Sequence, residues 1–366
     1  MELANIKNLS LEQLQATLAG WGIEGYRYTQ IVKWLYQFDV ADFNAMTNLS
    51  KALRERLIET FTIERWVPKI VQESNDGTRK FLYELSDGQT LESVLIPKDD
   101  RMTLCISTQV GCAMGCAFCL TSTLGLMRNL TLFEIIEQIM ASARQLSSEQ
   151  KITNLVFMGM GEPFHNYVTV IDALKIIIDR NALSIGKRRV TVSTCGLVPQ
   201  IEQFAHDSDV KLAVSLTGTT DAMRDQLIPM NRKYNLQKLM QACKKYSQIS
   251  GYPVTFEYTL LAGVNDSLAD AERLVKLLKG VLAKVNLIPF NAFAESGFQR
   301  TSDEQTYCFQ NVLYQHDIQT NVRQSRGRDI LGACGQLKAA MEPKATFVQK
   351  QLHALERLTE APATPH

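Results

Sequence analysis

From about residue 100 onward the chain keeps one rhythm: a short apolar run, then a helical pattern, repeated. The runs are "MTLCIS", "NLVFMG", "RVTVST", "KLAVSL", "VTFEYTLL" and "KVNLIPF". Helical patterns fall between them, at 131–146, 166–179, 197–206, 234–248, 268–279 and 303–316. The first opens on a capping box, Thr131 with Glu134, and sets Ile135, Ile136, Ile139 and Met140 on one face. A strand that returns through a helix pairs in parallel with the next strand. The alternation therefore predicts an α/β core of βαβ units, open or closed into a barrel. A closed eight-unit barrel takes about 250 residues, whereas about six units fit here in roughly 230. A partial barrel over 99–340 is the expectation.

The first 98 residues read as a separate accessory unit. "SLEQLQATLAG" offers a capping box, Ser10 with Gln13, a face of Leu11, Leu14 and Leu18, and Gly20 as a stop. "YTQIVKWLYQF" and residues 50–61 continue as helices. "KIVQES", "RKFLYELS" and "QTLESVLIP" then read as strands of a hairpin or meander, turning at Asp76-Gly77 and Asp87-Gly88. A helical tail, 341–366, is expected to end in the polar, frayed "TEAPATPH".

Four of the eight cysteines lie within residues 105–119. A disulfide scaffold belongs to small secreted chains. This chain has 366 residues, and its N-terminus lacks a basic segment followed by an apolar one. No apolar run approaches a membrane span. A cytoplasmic location follows by elimination, and clustered cysteines there point to metal or redox chemistry. Net charge is +1, so bulk charge names no nucleic-acid partner. The local clusters Lys187-Arg188-Arg189, Arg232-Lys233 and Arg323, Arg326 and Arg328 each read as a solvated face, unless the fold joins them into one basic surface.

"VGCAMGCAFCL" holds Cys112, Cys116 and Cys119. Gly111 and Gly115 make the segment a loop, which argues against buried packing cysteines. Structural zinc wants four ligands, and no second pair lies nearby. An iron–sulfur cluster is built from thiolates on such loops, and three of them leave one iron open. The spacing, with Phe118 before the last cysteine, resembles the radical SAM superfamily. That resemblance implies a partial (β/α)6 barrel, one [4Fe-4S] cluster and S-adenosylmethionine (SAM) chelated to the fourth iron. One electron then cleaves SAM to methionine and a deoxyadenosyl radical. "MGMGEPFHN" stands where the superfamily's glycine-rich motif holds the SAM amino group, at Gly161 and Glu162. By the same resemblance Ser193, Ser215, Leu216, Thr217 and Asn291, near later strand ends, contact the SAM carboxylate and ribose.

Over residues 20–337, "GYRYTQIVKWLYQ", "ESVLIPKDDRMTLCISTQVGC", "MRNLT", "VNLIPFN" and "DILGACGQL" resemble the RlmN/Cfr family of RNA adenine methyltransferases. The resemblance implies that Cys334 carries the methyl group as a methyl-cysteine. Cys105 then resolves the protein–RNA adduct by forming a disulfide with Cys334, and Glu92 removes the ring proton. Read alone, Cys105 is a small core residue and Glu92 a solvent-facing carboxylate. The implied substrate is 23S rRNA, with tRNA as an extension. The target base must leave its stack, and the N-terminal unit would grip folded RNA by backbone and shape. A monomer served by an electron donor such as flavodoxin completes the expectation. Methylation at adenine C2 is favoured, with Cfr-type C8 methylation, or a radical SAM enzyme on another RNA or substrate, as the alternative. A non-catalytic iron–sulfur RNA-binding protein is the rival from outside enzymology. The family usually has histidine where Thr217 stands, smaller residues at Leu120 and Ser122, and prolines after Asn291. These departures leave every cysteine in place and leave the target RNA open.

Overall fold

The computed structural model describes residues 3–293 and 296–338, so the tail expected at 341–366 lies outside the described residues. Three helices open the chain: α1 (Leu11–Gly20), α2 (Gly25–Tyr36) and α3 (Lys51–Thr60). The capping box at Ser10 and Gln13 is present, and Leu14 and Leu18 are buried. Strands β1 (Ala4–Asn5) and β2 (Phe61–Thr62) pair in parallel and tie the two ends of this unit together.

A meander follows: β3 (Ile70–Glu73), β4 (Arg79–Glu84), β5 (Thr90–Lys98) and β6 (Arg101–Cys105), each antiparallel to the last. The small ribbon β7 (Gln109–Gly111) and β8 (Leu126–Asn129) encloses the three-cysteine loop. Six strands then follow β6 in parallel, in chain order: β9 (Asn154–Phe157), β10 (Val190–Thr194), β11 (Lys211–Ser215), β12 (Val254–Leu260), β13 (Ala283–Pro289) and β14 (Thr320–Val322). Meander and parallel strands form one ten-stranded sheet that stays open, with β3 and β14 at its edges. Every strand expected from the apolar runs is present. The seventh parallel strand, β14, is three residues of mixed polarity, too short to show a period.

The connecting helices are α4 (Leu132–Ala143), α5 (Tyr167–Ile178), α6 (Val198–Asp207), α7 (Asp221–Leu227), α8 (Leu236–Ser250), α9 (Leu268–Leu278) and α10 (Asp303–Gln315). Only the two-turn α7 went unread in the sequence. Helix α4 is buried on every side from Leu132 to Ser142 because it is wedged between the sheet and the N-terminal unit. Its polar residues therefore need partners, and they have them. Gln138 exchanges hydrogen bonds with the Ser107 backbone at 2.8 and 3.0 Å. Ser142 meets the Tyr83 hydroxyl at 2.9 Å. Glu137 receives Lys7 Nζ at 2.7 Å and Arg144 at 2.7 Å. No helix among the described residues is long and apolar enough to cross a membrane.

Candidate active site

The parallel strands all end at one edge of the sheet, which is where α/β sheets hold their ligands. The three-cysteine loop spans that edge, pinned at three points. Cys112 N donates to Gly125 O at 2.9 Å, Ala117 N to Leu227 O at 3.0 Å, and Leu120 N to Gly335 O at 2.7 Å. Gly111, at φ +75°, is required here, since a Cβ would lie 1.9 Å from Gly125 O. Cys112, Cys116 and Cys119 line a cavity of about 150 Å³ together with Gly161, Glu162, Ser193, Ser215, Asn291 and Cys334.

Gly161 sits at φ +99°, and a side chain there would strike Gln109. The next residue, Glu162, is buried. Its amide donates to Gln109 Oε1 at 2.8 Å, and its carboxylate accepts from Phe164 N at 3.0 Å and Cys195 N at 2.8 Å. Burial raises its pKa against the pull of those amides. The ends of β10 and β11 are held by Arg224, which is fully buried. It donates to Cys195 O at 2.6 Å, Ser215 O at 3.2 Å and Leu216 O at 3.2 Å. Nothing in the sequence flagged Arg224, because its role depends on which carbonyls the fold brings to it.

The chain returns to this edge after β14. Segment 334–338 is stitched to three walls. Asn291 Nδ2 donates to Cys334 O at 3.2 Å, and Gln336 Nε2 to Ala292 O at 2.8 Å. Thr121 Oγ1 donates to Leu337 O at 2.7 Å, and Lys338 N to Glu92 Oε2 at 3.0 Å. The preceding turn is clamped by the meander, with Asp76 accepting from Gly327 N at 3.0 Å and Ser74 Oγ donating to Asp329 at 2.6 Å.

Cys105 pairs across the strands with Val94, and Glu92 lies two residues along β5 on the same face. Neither lines the cavity. Glu92 is ion-paired with Lys80 at 3.0 Å. Cys105 is buried, and burial first, with Cys334 nearby second, pushes its thiol up to about 12. Leu216 and Thr217 are also buried behind the rim rather than in the cavity lining. Thr217 has φ +49°, a left-handed conformation that a β-branched residue adopts only under strain. Histidine is favoured in that conformation. Thr217 is held by Asn265 Nδ2 to its carbonyl at 2.8 Å and by Thr259 N to its hydroxyl at 3.4 Å.

Two side chains at the cavity have no site role in the sequence reading: Glu257 is not singled out there, and Arg323 reads only as part of a solvated basic cluster. Glu257 sits in the apolar run of β12 and is 6% exposed; Arg323 follows β14. The cavity opens into a groove of about 700 Å³, and Met158, Glu257, Ile288, Asn291, Arg323 and Cys334 belong to both walls. Arg326, Lys98, Arg101, Lys211 and Lys284 also line that groove. Part of the scattered basic charge is thus gathered on one surface, while Lys187 instead pairs with Asp209 at 3.0 Å.

The donor set fits a cluster with a chelated ligand. Among the described residues no three His, Cys, Asp or Glu side chains converge closely enough to hold a single ion. A cluster, which takes one thiolate per iron, needs no such convergence, whereas tetrahedral zinc does. Burial drives the Cys112 and Cys116 thiols well above their ordinary range, and Cys119 adds to both. Such thiols ionise only beside positive charge, which bound iron supplies. The cavity wall also holds Asn291 Oδ1, Ser122 Oγ and Glu257 Oε2, each buried with no hydrogen-bond partner among the described residues. Unsatisfied polar atoms of that kind call for a polar ligand.

Comparison with known proteins agrees. A family model described as the radical SAM superfamily matches residues 106–278. A second, the ribosomal RNA large subunit methyltransferase N-terminal domain, matches residues 4–63. The dual-specificity RNA methyltransferase RlmN of Pelobacter propionicus is 48% identical over 342 residues, 93% of this chain and 97% of its own. RlmN of Geobacter sulfurreducens is 46% identical over 359 residues, covering 98% and 99%. Among solved structures, a radical SAM methyltransferase from Sphaerobacter thermophilus superposes with a TM-score of 0.85 at 44% identity, over 92% of this chain and 99% of that one.

Proposed function

The chain belongs to the RlmN family of radical SAM RNA methyltransferases, and on that premise we propose that it methylates adenine C2 in 23S rRNA and in tRNA. The observation that carries this reading is that Cys334 lines the same cavity as the three cluster cysteines. When bound, the [4Fe-4S] cluster and SAM supply radical chemistry and the methyl group.

In this reading Cys112, Cys116 and Cys119 ligate the cluster. Gly161, Glu162, Ser193, Ser215 and Asn291 bind SAM. Leu216 and Thr217 shape the backbone behind Ser215. Asn291 Oδ1, buried with no hydrogen-bond partner among the described residues, is free to accept from a donor such as an ammonium or a hydroxyl. Cys334 Sγ, as the thiolate, would be the acceptor of the methyl group that bound SAM supplies. As that carbon bonds to the adenine ring, Glu92 would accept the ring proton, while the hydrogen atom lost from the methyl group would pass to the radical that bound SAM supplies. Cys105 then attacks Cys334 Sγ. A disulfide forms, the carbon–sulfur bond breaks, and its electron pair stays with the carbon, which is protonated. The unit at 1–98 and the basic groove grip the RNA backbone, whose charge such a surface complements. The enzyme works as a cytoplasmic monomer, reduced by a donor such as flavodoxin.

The test is mass spectrometry of nucleosides from rRNA and tRNA with and without the gene. Loss of 2-methyladenosine is the expected result. Loss of 8-methyladenosine instead would move the protein to C8 chemistry, and no change in either would reject the adenine reading. Cys334→Ala should abolish methylation while leaving bound iron unchanged. Cys112→Ala, Cys116→Ala and Cys119→Ala should each lose the iron as well.

A further inference from the structure

The resolving step asks a thiol in the wrong surroundings to act as a nucleophile. Only the thiolate attacks a sulfur. Yet Cys105 is buried on β6, and burial holds its proton on. Three observations identify what opposes this. Met158 stands between Cys105 and Arg323: it lies two residues past Val156, the cross-strand partner of Cys105, and its sulfur accepts from Arg323 Nη1 at 3.5 Å. Arg323 is fixed in place, its own amide donating to Leu287 O at 2.8 Å at the end of β14. Arg323, Glu257 and Cys334 line one cavity wall, and Cys334 first, then Glu257 and Cys105, act to hold the guanidinium charged.

Glu257 explains the aim of that arginine. Its Oε1 accepts from Asn286 Nδ2 at 2.9 Å, while Oε2 is buried without a hydrogen-bond partner among the described residues. Arg323 is the cation acting on this carboxylate, so Glu257 draws the guanidinium to the wall it shares with Cys334. On the β5 side the charges are Glu92 and Lys80, paired with each other at 3.0 Å.

We propose that Arg323, steered by Glu257, is a positioning residue for the two-thiol chemistry, stabilising the negative charge carried by Cys105 and Cys334 as one sulfur attacks the other. The proposal rests on reading those two cysteines as the thiol pair. It extends that reading, because neither Arg323 nor Glu257 has a part in ligating the cluster or in the steps above.

The step can be isolated from RNA. Under anaerobic conditions the holoenzyme is given oxidised glutathione. The Cys334 thiolate attacks it, forming a mixed disulfide and releasing one glutathione thiolate. Cys105 then attacks Cys334 Sγ and expels the second, so two thiols are oxidised and one glutathione disulfide is reduced. Peptide mass spectrometry follows the Cys105–Cys334 disulfide between about pH 6 and pH 10. Arg323→Gln should slow its formation about tenfold near neutral pH and move the pH profile up by about one unit. Arg323→Lys should stay within about threefold of the natural protein, because it keeps the charge. Glu257→Gln should act in the same direction as Arg323→Gln but less strongly, slowing exchange about threefold, because the guanidinium loses the carboxylate that aims it. Circular dichroism and iron content verify that each variant is folded and loaded. An Arg323→Gln enzyme with the natural rate and profile would overturn the proposal, as would an Arg323→Lys enzyme as slow as the glutamine variant. Failure of the unaltered enzyme to form this disulfide would overturn the thiol pairing itself. A different RNA target leaves every arm unaffected.

Discussion

Two buried clusters of charge stand at opposite ends of the same logic. Around α4, Lys7 and Glu137 have fully buried side chains 2.7 Å apart. Lys7 Nζ also donates to Glu64 O at 2.8 Å, and Glu137 accepts from Trp66 N at 2.9 Å. Arg144 closes the network onto Asp39 at 2.6 and 2.8 Å. At the cavity, by contrast, Glu257, Asn291 and Ser122 each leave an oxygen buried and unanswered among the described residues. A buried polar atom is costly unless paired. The first cluster meets that cost within the fold, as glue between the N-terminal unit and the sheet. The second defers it to whatever binds. Satisfaction of polar groups, rather than burial or charge alone, separates scaffold from site here.

The sharpest way to break this contrast is Lys7→Met, which strands the Glu137 carboxylate. Stability should fall by about 3–5 kcal/mol in denaturant titration. Adding Glu137→Leu should recover most of that loss, since an apolar pair can replace a buried ion pair. Asn291→Ala should do the reverse. It should cost about 1 kcal/mol in stability through the lost Cys334 contact. Its larger effect should be on SAM, with affinity weakened at least about tenfold by anaerobic titration calorimetry.

Glu257→Gln tests the unsatisfied side through pH. Burial raises the Glu257 pKa. A raised carboxyl favours the fold fully below its unfolded value and loses that contribution as pH rises through the folded one. The variant should therefore match the natural protein in mild acid and gain on it toward neutral pH, by a few degrees in melting midpoint at most. No divergence with pH would mean that Glu257 is already satisfied.

The smallest effect belongs to the surface. Asp87 bonds Arg128 at 2.6 Å, and that contact lowers its pKa. A lowered carboxyl stabilises above its unfolded value and ceases to do so as pH falls through the folded one. Asp87→Asn should cost under about 1 kcal/mol at neutral pH and nothing in strong acid.

Much of this was legible in the sequence. Long apolar runs announced six strands, and the glycines among the clustered cysteines announced the loop that lines the cavity. Capping boxes at Ser10 and Thr131 marked helix starts that the structure keeps. The rest was hidden for one physical reason. Glu257 and Arg323 matter because of the wall their side chains reach, and Arg224 because of three carbonyls brought to it from two strands. Neither is a property of local pattern. The strain at Thr217 is likewise invisible until φ is known. Glu257 did leave one trace, a lone carboxylate within an otherwise apolar strand run, where a charge needs a reason.

The stitched segment at 334–338 has a consequence for how the protein is made. A ribosome delivers the chain from its N-terminus. The three-cysteine loop therefore emerges with most of the sheet still unsynthesised, while Cys334 arrives only after the last parallel strand. Until Asn291, Thr121 and Glu92 capture that stretch, the nascent protein holds Cys112, Cys116 and Cys119 but lacks the cavity wall that Cys334 completes. Birth order thus keeps these sulfurs apart until the fold that tells them apart is in place.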